Sequence, residues 1–136
     1  MAKKTIHLIS GTHWDREWRH TAEQSKLRLM DLVDNIITLL ENKESYGCFC
    51  IDGGTIVIED YLTIRPENKQ RIIDLIKAGR IKIVNWYTLP EINTVAPEAL
   101  IRNLLLGHQM ADEFGGGMKS GYTATSYGQP SQLPQL

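Results

Sequence analysis

The chain has 136 residues, a formal net charge of −1 and 42% hydrophobic residues. This length sets one domain as the upper bound. The balanced charge excludes electrostatic binding of nucleic acid, and the apolar content excludes a disordered chain. No apolar run reaches the roughly 20 residues that a membrane span needs. No signal-like hydrophobic region follows the initial Met-Ala-Lys-Lys. We therefore expect a cytoplasmic protein with no nucleic-acid or membrane partner.

The two cysteines, Cys48 and Cys50, are separated by one residue. A disulfide between them would close a very tight ring, so we interpret them as free thiols in a reducing compartment. Such a pair usually serves as small apolar strand residues. A Cys-x-Cys metal site would need further ligands, and none lie nearby in the sequence.

The first half of the chain predicts a strand, a helix and a second strand. The run over 5–10 is rich in β-branched and apolar residues and ends at Gly11, which indicates a buried strand. Apolar residues then recur at spacings of three and four over about 25–42, which predicts a helix with a wide buried stripe. The run over 46–51 predicts the second strand, which Asp52-Gly-Gly terminates.

The second half continues the alternation. The segment 55–64 contains Ile-Val-Ile, which favours a strand, but its position favours a short helix, which we predict. Pro66 suits the first turn of the next helix, and Gly79 suits its C-terminal cap. The run over 81–86 predicts the third strand.

A last helix is predicted over 97–114, and residues 120–122 resemble the start of a fourth strand. Strands that alternate with helical crossovers form parallel βαβ units. The sequence therefore predicts an α/β fold with a parallel sheet.

Polar and aromatic residues follow each predicted strand, and in parallel α/β folds ligands bind beyond the carboxyl ends of the strands. The segment 11–18 follows the first strand, Asp52 the second, Trp86 and Glu91 the third, and 123–132 the fourth. Because these ends meet at one edge of the sheet, the pattern indicates a site there.

His13 and Asp15 alternate across Trp14, so in an extended segment their side chains point the same way. An imidazole nitrogen and a carboxylate oxygen form half of a divalent-metal site, and zinc suits that mixture. The alternative is a loop in which both side chains only cap or hydrogen-bond. Trp14 and Trp18 invite two interpretations as well, namely stacking on a sugar ring or plain core packing.

Five ordered blocks, which together cover essentially the whole chain, resemble glycoside hydrolase family 38, the class II α-mannosidases. They are His-Leu-Ile-Ser-Gly-Thr-His-Trp-Asp-Arg-Glu-Trp ending at Trp18; Asp52-Gly-Gly-Thr with Glu59-Asp60-Tyr61-Leu62; Gly79-Arg-Ile-Lys-Ile followed by Trp86-Tyr-Thr-Leu-Pro-Glu91; Arg102-Asn-Leu-Leu-Leu-Gly107; and Gly121-Tyr122 through Gln132-Leu-Pro-Gln135.

The resemblance implies a retaining α-mannosidase, which hydrolyses terminal α-mannosidic bonds in oligosaccharides. It also implies an N-terminal (β/α)7 barrel and a divalent metal, usually zinc, that binds the sugar's 2- and 3-hydroxyls. By the same resemblance, His13 and Asp15 fall on metal ligands. Trp18 lines the sugar site, and Tyr127 lies beside the nucleophile. Trp86 and Glu91, which follow the third predicted strand, are further expected substrate contacts.

The sequence departs from the family at the nucleophile, because Thr125 stands where the resemblance expects an aspartate. A threonine hydroxyl does not supply the carboxylate that a retaining mechanism needs. Glu91, Asp52 and Glu17 are other acids expected at the same edge. Two alternatives to hydrolysis of α-mannosides stay open. One is a relative that binds sugar without cleaving it, and the other is a metal-dependent hydrolase similar to polysaccharide deacetylases, in which metal ligands activate water.

Four predicted strands are fewer than the implied barrel requires. We therefore expect residues 1–136 to be the N-terminal part of a family 38-like catalytic domain, with the rest of a longer chain as its partner. We also expect that this piece alone neither binds metal tightly nor turns over substrate. Because an open parallel edge is prone to association, a homo-oligomer is a further expectation.

Overall fold

A computed structural model describes residues 3–124 and 127–136. The elements alternate between strands and helices. In chain order they are β1 (Ser10–Gly11), α1 (Ala22–Asn42), β2 (Phe49–Ile51), α2 (Ile56–Ile64), α3 (Lys69–Lys77), β3 (Ile81–Ile83) and α4 (Pro97–Glu113). A 3-10 turn, Pro66–Asn68, leads into α3, and another, Leu133–Gln135, lies near the C-terminal end.

The three strands form one parallel sheet in the order β1-β2-β3. Ser10 pairs with Phe49, and Phe49 pairs with Ile81, so the carboxyl ends of all three strands lie at the same edge. This confirms the predicted α/β class with parallel βαβ units. The loops that follow β1, β2 and β3 are thereby brought together.

Helix α1 starts with a capping box. The side chain of Thr21 accepts a hydrogen bond from the backbone N–H of Gln24, and the Gln24 side chain accepts one from the Thr21 N–H. Both bonds satisfy N–H groups that a helix start otherwise leaves without partners. The helix therefore begins three residues before the predicted start, and it packs against α2 and α3.

The main core lies between these helices and the sheet. Fully buried aliphatic side chains dominate it, as expected for parallel strands that are covered by helices. Its most deeply buried members are Leu29, Ile37, Val57, Tyr61, Ile72, Ile81 and Ile83.

Gly54 allows the turn after β2 to lie directly on the segment that follows β3. Its φ is +95°, and a Cβ built there would lie 2.2 Å from the carbonyl oxygen of Tyr87. The N–H groups of Thr55 and Ile56 donate to the carbonyls of Trp86 and Tyr87, at 2.8 and 3.0 Å. These bonds fix the start of α2 against the loop after β3.

The structure corrects the bounds of the predicted strands. Strand β2 begins at Phe49 and not at residue 46, and β3 ends at Ile83 and not at residue 86. Strand β1 covers Ser10–Gly11 and not 5–10, because the apolar side chains before it are covered by no described residue. Ile6 and Leu8 are 90% and 95% exposed. Residues 120–122 form no strand. The segment before them is bonded to β3 through the Met118 N–H, which donates to the Ile83 carbonyl at 3.0 Å.

Cys48 and Cys50 are both free, as predicted, and burial raises the pKa of the Cys50 thiol. Within the described residues, no helix combines the length and the apolar character that crossing a membrane requires.

Candidate functional site

The loop over residues 12–20 extends from β1 across the carboxyl edge of the sheet. The Thr12 N–H donates to the Cys50 carbonyl at 3.1 Å, which continues the pairing of β1 with β2. Immediately afterwards, the His13 Nε2 and Asp15 Oδ1 atoms lie 3.7 Å apart, with both side chains about half exposed. The two residues predicted as metal ligands therefore lie side by side.

Asp52, the first residue after β2, holds the start of this loop. It is 1% exposed. One carboxylate oxygen accepts the Trp14 backbone N–H at 2.7 Å, and the other lies 3.0 Å from His13 Nδ1. Because the carboxylate is buried and contacts two consecutive residues, it holds the His13 ring in place.

Tyr122 contributes a third contact to Asp52. Its hydroxyl donates to the same oxygen that faces His13, at 3.2 Å. Burial, followed by the nearby Asp52 carboxylate, raises the pKa of the Tyr122 hydroxyl. Because even the ordinary pKa of a tyrosine is about 10, the hydroxyl is protonated and therefore a donor at neutral pH. The segment after α4 is in this way connected to the loop after β1.

Asp60, in α2, holds the same loop at a second point. Its two oxygens accept bonds from the Arg16 guanidinium at 2.7 and 3.1 Å, and the Lys26 ammonium lies 3.6 Å away. This bidentate hydrogen bond raises the pKa of Arg16. Arg16 directly follows Asp15, so the ion pair fixes the chain just beyond the two candidate ligands.

A cleft of about 360 Å³ opens beside these residues. The loop after β1 forms one wall and the segment 88–91 forms another. Glu91 contributes a buried Oε1 atom that has no hydrogen-bond partner among the described residues. A buried carboxylate oxygen without a donor is costly. Because this atom has almost no accessible surface, the Glu91 side chain would have to turn before it could accept a bond from a hydroxyl in the cleft.

Comparison with known protein families shows to which family this chain belongs. Residues 3–136 match the model of the glycosyl hydrolases family 38 N-terminal domain. The chain belongs to glycoside hydrolase family 38. The resemblance predicted from the five sequence blocks is thereby confirmed, and the chain is a member of a family of glycosidases.

Individual family 38 relatives agree with this. A protein of Halalkalibacterium halodurans, named as a mannosylglycerate hydrolase, is 39% identical over 135 residues, which are 98% of this chain and 15% of that protein. Two solved structures from Enterococcus faecalis also match and cover 93% of this chain. One is an alpha-mannosidase from strain V583, with a TM-score of 0.89 and 38% identity, and the other is a family 38 protein, with a TM-score of 0.80 and 34% identity.

The chain spans only 14–15% of the length of these family 38 relatives. No group of three or more His, Cys, Asp and Glu side chains that could hold a metal is present in 3–124 or 127–136. His13 and Asp15 nevertheless fit two positions of a zinc site. Tetrahedral ligands about 2.1 Å from zinc lie roughly 3.4 Å apart, close to the 3.7 Å between these two atoms.

Three other predicted sugar-site residues, Trp18, Trp86 and Tyr127, do not line this cleft. Trp18 is 74% exposed, and the Arg19 guanidinium lies 4.7 Å from the centre of its ring. Trp86 is buried in a second small core, where its indole N–H donates to the Tyr122 carbonyl at 2.8 Å. Tyr127 is 86% exposed. Thr125 lies outside the described residues. Their roles toward substrate stay predictions.

Reasoning from the sequence missed the residues that hold the loop. Asp52 is predicted as an alternative acid but lies beneath His13, where all of its contacts are structural. Asp60 lies in the second block of the resemblance, but its pairing with Arg16 carries no sequence signal, because the two residues are 44 positions apart. The glycines after Asp52 are the one local hint, since they indicate a close approach of backbone at that turn.

Proposed function

We propose that this chain is the N-terminal segment of a longer family 38 glycosidase that hydrolyses α-mannosides. In this proposal, His13 and Asp15 supply two ligands of a divalent metal, which we expect to be zinc. The observation that carries the proposal is the His13–Asp15 pair, which the buried Asp52 holds at the carboxyl edge of a parallel sheet. The names of the relatives support the mannoside.

The site residues have distinct proposed roles. A divalent metal bound at His13 and Asp15 would act as a Lewis acid that binds and orients vicinal sugar hydroxyls. Glu91, whose buried Oε1 atom has no hydrogen-bond partner among the described residues, would turn toward the cleft and accept a hydrogen bond from a further hydroxyl. Trp18 would offer its exposed indole for stacking on a sugar ring.

The proposal so far does not specify the leaving group, which is the group attached to the mannosyl unit in the substrate. One relative is named for the hydrolysis of mannosylglycerate, in which the leaving group carries a carboxylate, and another is titled an alpha-mannosidase. Both substrate classes share the α-mannosyl unit, and we propose that unit as the part that this segment recognises.

Turnover by the full-length protein tests the proposal. It should release the aryl group from an aryl α-mannoside or glycerate from mannosylglycerate. A chelator should abolish the release, and added zinc should restore it. The aryl β-mannoside is the matched control, which should stay intact. Absence of release from both α-mannosides would overturn the proposed hydrolase.

Thr125 favours a second function, a family 38 relative that binds sugar without cleaving it. A hydroxyl in place of a carboxylate removes the charge that a retaining mechanism needs at that position. Metal-dependent sugar binding without turnover would support this second function. Release of acetate from acetylated sugars would instead favour the deacetylase-like alternative.

We further propose that residues 1–136 act only within the longer chain. The exposed Ile6 and Leu8 and the small share of the relatives' length that the chain covers support this. Measurable α-mannosidase activity of the purified 136-residue chain would contradict it.

A further inference from the structure

We propose that Asp52 is a positioning residue that selects the tautomer of His13. In this tautomer the proton is on Nδ1, and the Nε2 lone pair is free on the side of Asp15. The inference deepens the proposed function, because a free Nε2 is what a metal ligand requires. Its structural part, the position of the proton, is independent of whether a metal binds.

The contacts of Asp52 leave little freedom for the His13 proton. An ionised carboxylate only accepts hydrogen bonds. Its Oδ2 atom lies 3.0 Å from His13 Nδ1, so Nδ1 must carry the hydrogen for the contact to be a bond. Asp52 is 1% exposed, so water is a poor alternative partner for its carboxylate, although the His13 ring is half exposed. The remaining ring nitrogen, Nε2, points toward Asp15 Oδ1 at 3.7 Å.

The Trp14 backbone N–H makes this arrangement testable with an isosteric variant. In the wild type, the Trp14 N–H donates to Asp52 Oδ1 at 2.7 Å. In Asp52→Asn, this N–H would need the oxygen of the new amide at the Oδ1 position. The amide NH₂ would then occupy the place of Oδ2 and face His13 Nδ1. Because two donors cannot share a hydrogen bond, His13 would move its proton to Nε2. The variant keeps the shape of the side chain and blocks the ligand atom.

Tyr122 supplies a control within the same cluster. Its hydroxyl donates to Asp52 Oδ2 at 3.2 Å. A hydroxyl can also accept from an amide NH₂, so Tyr122 does not oppose the reorientation of the side chain in Asp52→Asn. Tyr122→Phe removes one donor from Asp52 but leaves the Trp14 and His13 contacts, so the His13 tautomer should not change.

Two measurements test the inference. The first is the pattern of ¹H–¹⁵N couplings of the His13 ring, assigned with His13→Gln in mildly alkaline buffer, where imidazoles are neutral. The second is the zinc affinity of the full-length protein, measured by competition with a chelator. We expect Nδ1–H in the wild type and Nε2–H in Asp52→Asn. We also expect a loss of about 10- to 100-fold in zinc affinity for Asp52→Asn.

Two control variants should keep the ring couplings of His13 and the zinc affinity close to the wild type. They are Tyr122→Phe and Asp74→Asn, and the latter removes the same charge from an exposed position in α3. The inference is overturned if the wild type carries the proton on Nε2, or if Asp52→Asn keeps the Nδ1–H form or the wild-type zinc affinity. A wild type that binds no zinc would instead overturn the proposed metal site. The couplings would still decide what Asp52 does.

Discussion

Asp52 and Asp60 hold the same loop at two points, and they do so by different kinds of contact. Asp52 is almost completely buried and accepts bonds from a backbone N–H, an imidazole and a phenol. Asp60 binds the guanidinium of Arg16 and lies near the ammonium of Lys26, at a rim where about 40% of each partner is exposed.

These different contacts suggest different roles, because Asp52 orients side chains of the loop whereas Asp60 attaches the loop to α2. When a buried acceptor is removed, the donors around it lose their hydrogen bonds at full cost in stability, because water does not reach the site to replace the acceptor. A partly exposed ion pair contributes less, because water and salt screen it. We therefore expect Asp52 to determine the geometry of the His13–Asp15 pair and Asp60 to limit the motion of the chain beyond it.

The largest effect on stability should come from Asp52→Ala. It leaves the Trp14 N–H, the Tyr122 hydroxyl and the half-exposed His13 ring without their buried acceptor, so we expect a loss of about 3 kcal/mol in the free energy of unfolding. Urea denaturation measures this loss. The matched control is the exposed Asp74→Ala, which should change the unfolding free energy little. A loss for Asp52→Ala as small as that of the control would erase the distinction between Asp52 and Asp60, the two anchors of the loop.

Asp60→Asn should have a smaller effect. It keeps the size of the side chain but removes the charge that pairs with Arg16 and Lys26. We expect a loss of about 1 kcal/mol by the same denaturation experiment. A loss that exceeds that of Asp52→Ala would reverse the order of the two anchors.

Salt should separate the two anchors further. Raising the ionic strength screens the Arg16–Asp60 pair, so the difference between Asp60→Asn and wild type should shrink. The difference for Asp52→Ala should persist, because the carboxylate is buried and two of its donors, the Trp14 N–H and the Tyr122 hydroxyl, are neutral groups. Equal salt dependence of both variants in parallel denaturation series would show that both anchors act through charge.

The smallest effect should be an alkaline one that involves Asp52. Burial and the Asp52 carboxylate raise the pKa of Tyr122 above the ordinary value of about 10. A raised pKa means that the hydroxyl stabilises the fold below about pH 10 and loses this contribution as the pH rises through the folded-state pKa. Tyr122→Phe should therefore lose less stability than the wild type over that range. Unfolding free energies measured against pH test this, and parallel curves would contradict it.

The sequence predicts local features of this site well. The i, i+2 spacing of His13 and Asp15 is enough to place them side by side, and the structure confirms their proximity. The helical periods predict α1 and α4 to within a few residues. These features depend on neighbours along the chain, which the sequence shows directly.

Features that depend on distant partners are not predictable in the same way. The contact of Asp52 with His13 requires the register of β1 against β2, in which Ser10 lies opposite Phe49. The apolar run over 5–10 has the composition of a strand, but a strand needs a neighbour, and its side chains are exposed. Composition therefore predicts that this segment tends to form a strand, but not whether a neighbouring strand pairs with it.

The metal content of purified full-length protein tests the central claim most directly. We expect the wild type to carry bound divalent metal, and we expect His13→Ala and Asp15→Ala each to lose it. Asp74→Ala, the control from α3, should keep the wild-type content. Metal content unchanged in both His13→Ala and Asp15→Ala would contradict the assignment of these two side chains as ligands.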